Sequence, residues 1–418
     1  MLAPVRPAVF VGARLLDGRS PDAVVDGVLV TDEKGRIVAA AAATAVSAPR
    51  DADRIDATGL TILPAIIDCH VHLRQPRLES VAEQVQRSST DLVVCALQTG
   101  RDFLEAGVTT VRDAGHTPAG IKRAFASGAF PGPRTQVSCT PLSQTGGHGD
   151  DWTPSGVVLE MEASDLPPGV ADGVDAVRHA ARLQIRAGAD WIKVMATGGV
   201  LSTADTPDAS QFTIEEMRAI VEEAKAAGIK GTLAHAEGTT GIKNALRAGI
   251  TSIEHGDLID EEGIDLMLER DVPLVPTFNI NFALMDEGRV ARGEVPPWAV
   301  EKMRYLFERQ QRSFRHAVER GVRVVMGTDS FSGMHPPAEL AYMSEFGLGP
   351  FRAIQAATSQ AAALLGLADL LGTLEAGKAA DLIAVNGDPL AEPELWRDPA
   401  RIVFVMQGGR IVADRRGA

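Results

Sequence analysis

Cysteine is scarce in this sequence, and an excess of positive charge and long apolar segments are both missing. The three cysteines are an odd number without C-x-x-C spacing, so neither a disulfide framework nor a cysteine metal site is expected. Lysine and arginine together number 41 against 55 aspartates and glutamates, a net charge of −14, which disfavours nucleic acid and anionic lipid as partners. The longest apolar runs, such as 60–67, are shorter than the roughly 20 residues of a membrane helix.

The remaining composition is that of a folded globular protein. Hydrophobic residues make up 45% and charged residues 23% of the 418 residues, which excludes disorder, collagen and coiled coil as the main class. The N-terminus has no basic segment followed by an apolar one, so a cytoplasmic protein is expected. The length allows two or three domains, or one large α/β barrel with an additional domain.

One pattern recurs five times along the chain: a helical stretch ends in glycine, and a short β-rich run follows at once. Each glycine stands where a helix C-terminus requires a positive φ. Helices that alternate with short apolar runs indicate βα units around a buried parallel sheet. Three further runs, at 62–67, 135–139 and 273–276, bring the strands to eight, which predicts an α/β fold with a TIM-type (β/α)8 barrel. The five glycines are Gly107, Gly188, Gly228, Gly249 and Gly321.

The two chain ends are β-rich instead. Because a barrel with its loops uses roughly 300 residues, the ends are predicted to pair into one small β-sandwich domain. This domain would comprise residues 1–60 and 366–418, and the barrel residues 61–365. The β-rich runs cover residues 8–18, 27–41, 381–386 and 401–414, the last bent at Gly408 and Gly409.

Candidate metal ligands lie at the ends of the predicted strands. His70 and His72 follow the first run, and residues two apart on a strand share a face, so both imidazoles would point into the barrel mouth. Taken alone, this pair does not distinguish metal ligands from core or exposed histidines. Four further residues with suitable side chains end other predicted strands: Lys193, His235, His255 and Asp329. Six such residues at one end of a barrel favour a metal site.

Several motifs together resemble the amidohydrolase superfamily, and within it the binuclear branch of prolidase-like and basic-residue carboxypeptidase-like enzymes. The resemblance covers nearly the whole chain. Ala65 is a departure, since relatives usually have glycine there, but that position serves the backbone rather than the chemistry. The motifs are Ile66-Ile-Asp-Cys-His-Val-His72, Ile192-Lys193 with Thr197-Gly-Gly199, Ala234-His235, Ser252-Ile-Glu-His-Gly256, Gly327-Thr-Asp329 and Gly372-Thr-Leu-Glu-Ala-Gly-Lys-Ala-Ala-Asp381.

The resemblance implies two divalent metal ions. His70, His72 and Asp329 would bind one ion, and His235 and His255 the other. A carboxylated Lys193 would bridge them, since an unmodified ammonium group would be repelled by two cations. Histidine and carboxylate ligands suit zinc, without excluding manganese, cobalt or iron. The implied reaction is attack of a metal-bound hydroxide on an amide carbonyl, with Asp329 carrying the proton to the leaving nitrogen.

Two further residues are candidates for substrate contact. The resemblance places a carbonyl-polarising or substrate-contacting histidine in the glycine-rich loop at His148; the alternative is an incidental histidine in a flexible loop. Glu237 lies two residues beyond His235 and faces the same way. It would either attract a cationic substrate group such as an arginine or lysine side chain, or support a metal-bound imidazole.

The predicted function is hydrolysis of a small-molecule amide, with release of a C-terminal amino acid from an N-acyl amino acid or a dipeptide of the Xaa-Pro or Xaa-Arg/Lys type. The alternative on the same scaffold is hydrolysis of N-aryl amides, ureas or carbamates, including xenobiotic or toxin amides. Deamination of a ring amidine is disfavoured by Lys193, and a non-catalytic scaffold by the intact ligand set. The resemblance also implies a homo-oligomer.

Overall fold

The computed structural model describes residues 5–45, 51–78, 83, 86–152, 155–156 and 165–417. Residues 1–4, 46–50 and 418 of the predicted β domain lie outside this range. Within the described residues, the strands form three sheets. The strands are β1 Ala8–Leu15, β2 Val24–Thr31, β3 Ile37–Ala42, β4 Asp53–Asp56, β5 Leu60–Pro64, β6 Ile66–Val71, β7 Val108–Asp113, β8 Arg134–Val137, β9 Trp191–Met195, β10 Gly231–Ala236, β11 Ser252–His255, β12 Leu274–Val275, β13 Leu382–Asn386, β14 Ile402–Gln407 and β15 Arg410–Asp414.

The largest sheet takes strands from both chain ends. Its order is β15-β14-β13-β5-β1-β2-β3, with β4 paired to β1, and the antiparallel pairing of β13 with β5 joins the two ends. Phe10 and Phe404 meet edge to face in its apolar core, with ring centroids 5.3 Å apart, a favourable aromatic geometry.

The apolar run 62–67, predicted as one barrel strand, is divided between two sheets. β5 ends at Pro64 in the large sheet, and β6 starts a parallel sheet at Ile66. Proline has no N–H with which to extend a ladder, and Ala65 makes the transition by donating its N–H to the Asp381 carbonyl at 3.1 Å. β5 therefore continues past the predicted boundary at residue 60.

The other two sheets are parallel, as predicted for an α/β chain. They have the orders β6-β7-β8 and β12-β11-β10-β9. Leu142, which follows β8, forms a bridge to β9 of the other sheet. Its N–H donates to Lys193 O at 2.8 Å, and its carbonyl accepts the Met195 N–H at 2.9 Å.

The predicted eighth strand, residues 322–326, was expected to be continuous and is not. It makes isolated bridges instead: Val325 N donates to Leu274 O and Cys69 N donates to Met326 O, each at 2.9 Å. The extended backbone is interrupted soon afterwards because Asp329 adopts a φ of +54°. The segment nevertheless lies between β12 and β6.

The helices follow the strands as the glycine pattern predicts. All five glycines have positive φ, from 66° at Gly228 to 99° at Gly188, and the capping box of Thr213 and Glu216 is formed. None of the described helices is long and apolar enough to cross a membrane. The helices are α1 Ser89–Glu105, α2 Ala119–Ala126, α3 Val174–Ala187, α4 Ile214–Ala226, α5 Thr239–Ala248, α6 Glu261–Arg270, α7 Phe278–Met285, α8 Glu287–Ala291, α9 Pro297–Arg320, α10 Ala338–Met343, α11 Pro350–Ala357 and α12 Ser359–Leu364, with a π-helical turn at Ser344–Leu348 and short 3-10 turns at Ala43–Ala45, Pro393–Arg397 and Pro399–Arg401.

Candidate metal centre

Six polar side chains meet at the carboxyl ends of the parallel strands. Nε2 of His72 lies 3.0 Å from Oδ1 of Asp329, and Nε2 of His70 lies 3.5 Å from the same oxygen. Nζ of Lys193 is 3.4 Å from Nε2 of His70. The His255 ring centroid is 5.1 Å from that of His70 and 4.6 Å from that of His235. The structure thus brings together all six residues that the sequence nominates as metal ligands.

All four imidazoles are each held through one ring nitrogen, which leaves the other nitrogen available to a metal ion. In three cases the partner atom is a carboxylate or carbonyl oxygen, so the held nitrogen carries the hydrogen. The ligand atoms of His70, His255 and Asp329 lie within 4.8 Å of one another. The holding contacts are His70 Nδ1 to Glu254 Oε2 at 2.7 Å, His72 Nδ1 to Gly115 O at 3.4 Å, His255 Nδ1 to Thr277 Oγ1 at 2.7 Å and His235 Nε2 to Gly198 O at 3.0 Å.

Glu254 and Arg112 form a buried support beneath His70. Arg112 Nη2 donates to Glu254 Oε1 at 2.9 Å, and Arg112 Nε donates to the Cys69 carbonyl at 2.6 Å. Burial raises the pKa of Glu254, but the Arg112 charge and the His70 contact bring it down to about 2. The carboxylate therefore stays ionised and fixes the orientation of the His70 ring.

Glu254 and Arg112 are not among the residues nominated from the sequence. A signal was present, because both stand within apolar strands that are buried on both faces, where a charge needs a partner. Asp68 was missed as well. Its Oδ1 accepts the N–H groups of His70 and Thr328 at 3.0 and 3.2 Å, which ties β6 to the segment that carries Asp329.

Lys193 and Asp329 are the charged members of the cluster. Lys193 is 2% exposed, and burial lowers the pKa of its amine to about 8. Burial raises the pKa of Asp329, but the hydrogen bond from His72 and the charges of His70 and His255 hold it well below its usual value. An amine with a lowered pKa and an ionised carboxylate thus belong to the same cluster.

The two predicted substrate residues also reach the cluster. The His148 ring stacks on His235, with centroids 4.2 Å apart and planes 20° apart. Oε1 of Glu237 lies 3.7 Å from Nε2 of His235. Its buried Oε2 has no hydrogen-bond partner among the described residues, and burial, together with the charges of Asp257 and Asp205, raises the pKa of this carboxyl well above its usual value. Both roles considered for Glu237 remain compatible with this position.

Comparison with known proteins identifies the family. The model of the "Amidohydrolase family" matches residues 61–412 of this chain. The chain belongs to the amidohydrolase family. Ochratoxinase of Aspergillus niger is 35% identical over 368 residues, which cover 84% of this chain and 75% of the relative. The resemblance noted in the sequence is therefore confirmed, and the protein is a hydrolase that acts on amide bonds.

Solved structures agree with this assignment. A Xaa-Pro dipeptidase with methionine bound in its active site has a TM-score of 0.87 at 31% identity, with 97% of this chain and 99% of that chain covered. A prolidase complexed with N-methylphosphonate-L-proline has a TM-score of 0.89 at 33% identity, and the match covers 98% of this chain and 100% of the prolidase chain. The fold of these relatives implies that the two parallel sheets belong to a TIM-type barrel.

The donor set of this amidohydrolase fits divalent metal ions, which the family generally uses. Imidazole nitrogens and a carboxylate oxygen are ordinary zinc ligands. His70, His72 and His235 already have the hydrogen bond to a carboxylate or carbonyl acceptor that metal-binding histidines usually make through their second nitrogen. An ammonium group at Lys193 is the one member that does not suit a cation site.

Proposed function

We propose that this amidohydrolase is a binuclear metal-dependent hydrolase that releases a C-terminal amino acid from an N-acyl amino acid or a dipeptide, of the Xaa-Pro or Xaa-Arg/Lys type. The observation that carries the proposal is the convergence of four imidazoles and Asp329 around the buried Lys193. Such a set of nitrogen and oxygen donors in one buried cluster is difficult to explain by packing alone.

His70, His72 and Asp329 would hold one ion, and His235 and His255 the other, zinc being the metal that suits these ligands best. We propose that Lys193 is carboxylated, so that an anionic group with two oxygen donors replaces the ammonium group between the ions. The close approach of Lys193 Nζ to His70 Nε2, at 3.4 Å, supports this role, because the modified side chain would lie next to a proposed metal ligand.

The ions, when bound, would activate a water molecule and polarise the scissile carbonyl. The residues of the chain perform the remaining tasks. Asp329 is ionised and can accept a proton at its carboxylate, then deliver it to the leaving nitrogen. Glu254 keeps the His70 ring oriented during this transfer. His148, which stacks against His235, would contact the substrate.

The choice of substrate class is supported by the relatives. A Xaa-Pro dipeptidase and a prolidase with a proline phosphonate cover nearly all of this chain, which favours release of a C-terminal amino acid. The second candidate is hydrolysis of N-aryl amides, ureas or carbamates, including xenobiotic or toxin amides, and the similarity to ochratoxinase supports only its toxin-amide member. The same ligand set would serve both.

Glu237 is proposed to select the side chain of the substrate. Its buried Oε2 lacks a partner among the described residues, and a cationic group would supply one. Glu237→Gln should therefore impair substrates ending in lysine more than their norleucine counterparts, which have no charge but a similar length. Equal losses on both would instead assign Glu237 to the support of His235.

We also propose that the strands of the two parallel sheets, with residues 323–330 between β12 and β6, form one closed (β/α)8 barrel. The hydrogen bonds of Val325 and Cys69 on one side and of Leu142 on the other support this closure. The sheet built from both chain ends would then be a separate small β domain beside the barrel.

The proposal is tested by a substrate screen of the zinc-loaded protein. The panel contains N-acyl amino acids and dipeptides with varied C-terminal residues, together with aryl amides, ureas and carbamates, and free amine or amino acid is measured. Turnover confined to one C-terminal class is expected. Turnover only of the aryl compounds would replace the proposal by the second candidate, and metal-loaded protein without activity on any member would contradict both.

A further inference from the structure

The loop 198–205 packs directly on His148. A Cβ atom at Gly199 would lie 2.3 Å from Cε1 of His148, so only glycine permits this approach. Nδ1 of His148 lies 2.9 Å from Oγ of Ser202. The backbone of His148 is fixed as well, because its N–H donates to Oε1 of Gln211 at 2.9 Å.

Ser202 is in turn held by Asp205. The Ser202 hydroxyl donates to Oδ1 of Asp205. The same oxygen accepts the Gly199 N–H at 3.1 Å, and Oδ2 accepts Nε2 of Gln211 at 2.8 Å. Asp205 thus holds Ser202 and Gln211, the two residues that form hydrogen bonds with His148.

This chain of hydrogen bonds determines the tautomer of His148. A serine hydroxyl has one hydrogen to donate. Its alternative acceptor, the Gly199 carbonyl, is 3.4 Å away, whereas the acceptor on Asp205 is a carboxylate oxygen, which forms stronger, charge-assisted hydrogen bonds. Because the hydrogen goes to Asp205, Oγ of Ser202 can only accept from the imidazole, so Nδ1 of His148 carries the hydrogen. Nε2 of the neutral ring is left with its lone pair.

Lys302 anchors the loop from outside. This residue belongs to α9, and its three N–H groups donate to the carbonyls of Gly199, Ser202 and Asp205 at 2.9, 2.7 and 2.7 Å. An ammonium group has three hydrogens, so all of them serve the loop. The position of Ser202 relative to His148 is therefore fixed by a distant helix and does not depend on the loop alone.

We infer that Ser202 and Asp205 are positioning residues, which hold His148 in the Nδ1–H tautomer and present its Nε2 to the substrate as a hydrogen-bond acceptor. The inference rests on the proposed role of His148 in substrate contact. It also restricts that contact. With Nδ1 protonated, the neutral ring can only accept a hydrogen bond at Nε2, and His148 could donate from Nε2 to a carbonyl oxygen only as an imidazolium.

The first test is 15N NMR of the zinc-loaded protein with labelled histidine, the His148 signals being assigned by their loss in His148→Gln. Protonated and lone-pair nitrogens of imidazole resonate far apart, so the tautomer is read directly. Nδ1 is expected to be protonated in the wild type. The Nε2–H tautomer in the wild type would overturn the inference whether or not any substrate is known.

Variants give the second test, on whichever amide substrate the screen provides. Ser202→Ala should shift the tautomer equilibrium and lower kcat/KM by about 10- to 100-fold, the range for residues that orient a catalytic site, with bound metal unchanged. Asp205→Asn should act in the same direction, and Ser202→Thr, which keeps the hydroxyl, should restore both readouts. Ser210→Ala is the matched control, because this exposed serine of the following loop segment contacts Asn244. Unchanged tautomer and kinetics in both Ser202→Ala and Asp205→Asn would contradict the inference.

Discussion

The surroundings of individual residues in the cluster bear directly on their proposed roles. Lys193 is buried, with its Nζ 3.4 Å from Nε2 of His70, where a permanent positive charge would oppose metal binding. The His70 ring is oriented by the Glu254 carboxylate, which is itself hydrogen-bonded to Arg112. Each of these arrangements makes a separate prediction about a single side chain.

Lys193→Ala should lose most of its bound metal, and its activity should fall by more than about 100-fold, beyond the range typical of residues that only support ligands. The reason is that the variant lacks the proposed bridging group. Metal content by atomic emission and kcat/KM on the substrate from the screen are the measurements. Normal metal content with full activity would contradict the bridging role.

Glu254→Gln should weaken metal affinity by about 10- to 100-fold and lower the free energy of unfolding by about 3 to 5 kcal/mol, because it leaves the Arg112 charge buried without its partner. Ser252→Ala is the milder control, since Ser252 contacts the same arginine and glutamate without carrying charge. Metal titration and urea unfolding would show the difference. Equal effects of the two variants would count against the supporting role of Glu254.

Helices and loops position the residues of the site. The contacts that join one helix or loop to the next differ in burial. The loop 198–205 is fixed by three part-buried hydrogen bonds from Lys302 to its backbone carbonyls. The pair of helices α3 and α4 is joined at the surface instead, where Arg178 and Arg182 both contact Glu223. The Lys302 contacts bear on the position of His148 in the site. The ion pairs between α3 and α4 are expected to contribute only to the free energy of unfolding.

The ion pairs of Glu223 predict that the free energy of unfolding depends on pH. The hydrogen bond from Arg182 is the largest factor that lowers the pKa of Glu223, so its folded pKa lies below its unfolded one. Its contribution to the free energy of unfolding is present above the unfolded pKa, about 4.3, and is lost as the pH falls through the folded pKa. Glu223→Gln should cost no more than about 1 kcal/mol at pH 7, and the difference from wild type in urea unfolding should shrink at acidic pH. A difference that grows on acidification would refute this assignment.

The molecule as a whole depends on contacts between the large sheet and the parallel strands. Asp381 is central to them: it is 6% exposed, and its Oδ1 accepts Arg134 Nη2 from β8 at 3.0 Å and the Gly408 N–H at 2.7 Å. The closing motif of the sequence therefore ends in a residue that joins the two parts.

Asp381→Asn should lower the free energy of unfolding by about 2 to 3 kcal/mol, because buried hydrogen bonds to a charged group are lost. Bound metal and kcat of the folded protein should not change, since Asp381 takes no part in the cluster. Asp414→Asn is the control, as Asp414 pairs with Arg416 at the surface. Chemical unfolding that ranks the two variants equally would contradict the joining role.

The sequence by itself determined the family, the alternation of helices with parallel strands and the nomination of the six clustered residues. These follow from local features: the two-residue spacing of His70 and His72, and glycines that must adopt positive φ. It did not determine the division of the run 62–67 between two sheets. An apolar run specifies burial, and the sheet it joins depends on β13, more than 300 residues away along the chain.

The supporting contacts of the site were decided only in the tertiary structure. Arg112 and Glu254 are 142 positions apart, and Thr328 and Asp68 are 260 apart. Each of these residues shows in the sequence as a polar group that requires a partner. Which partner it finds depends on strands that become neighbours only when the chain folds, and no local spacing encodes that pairing.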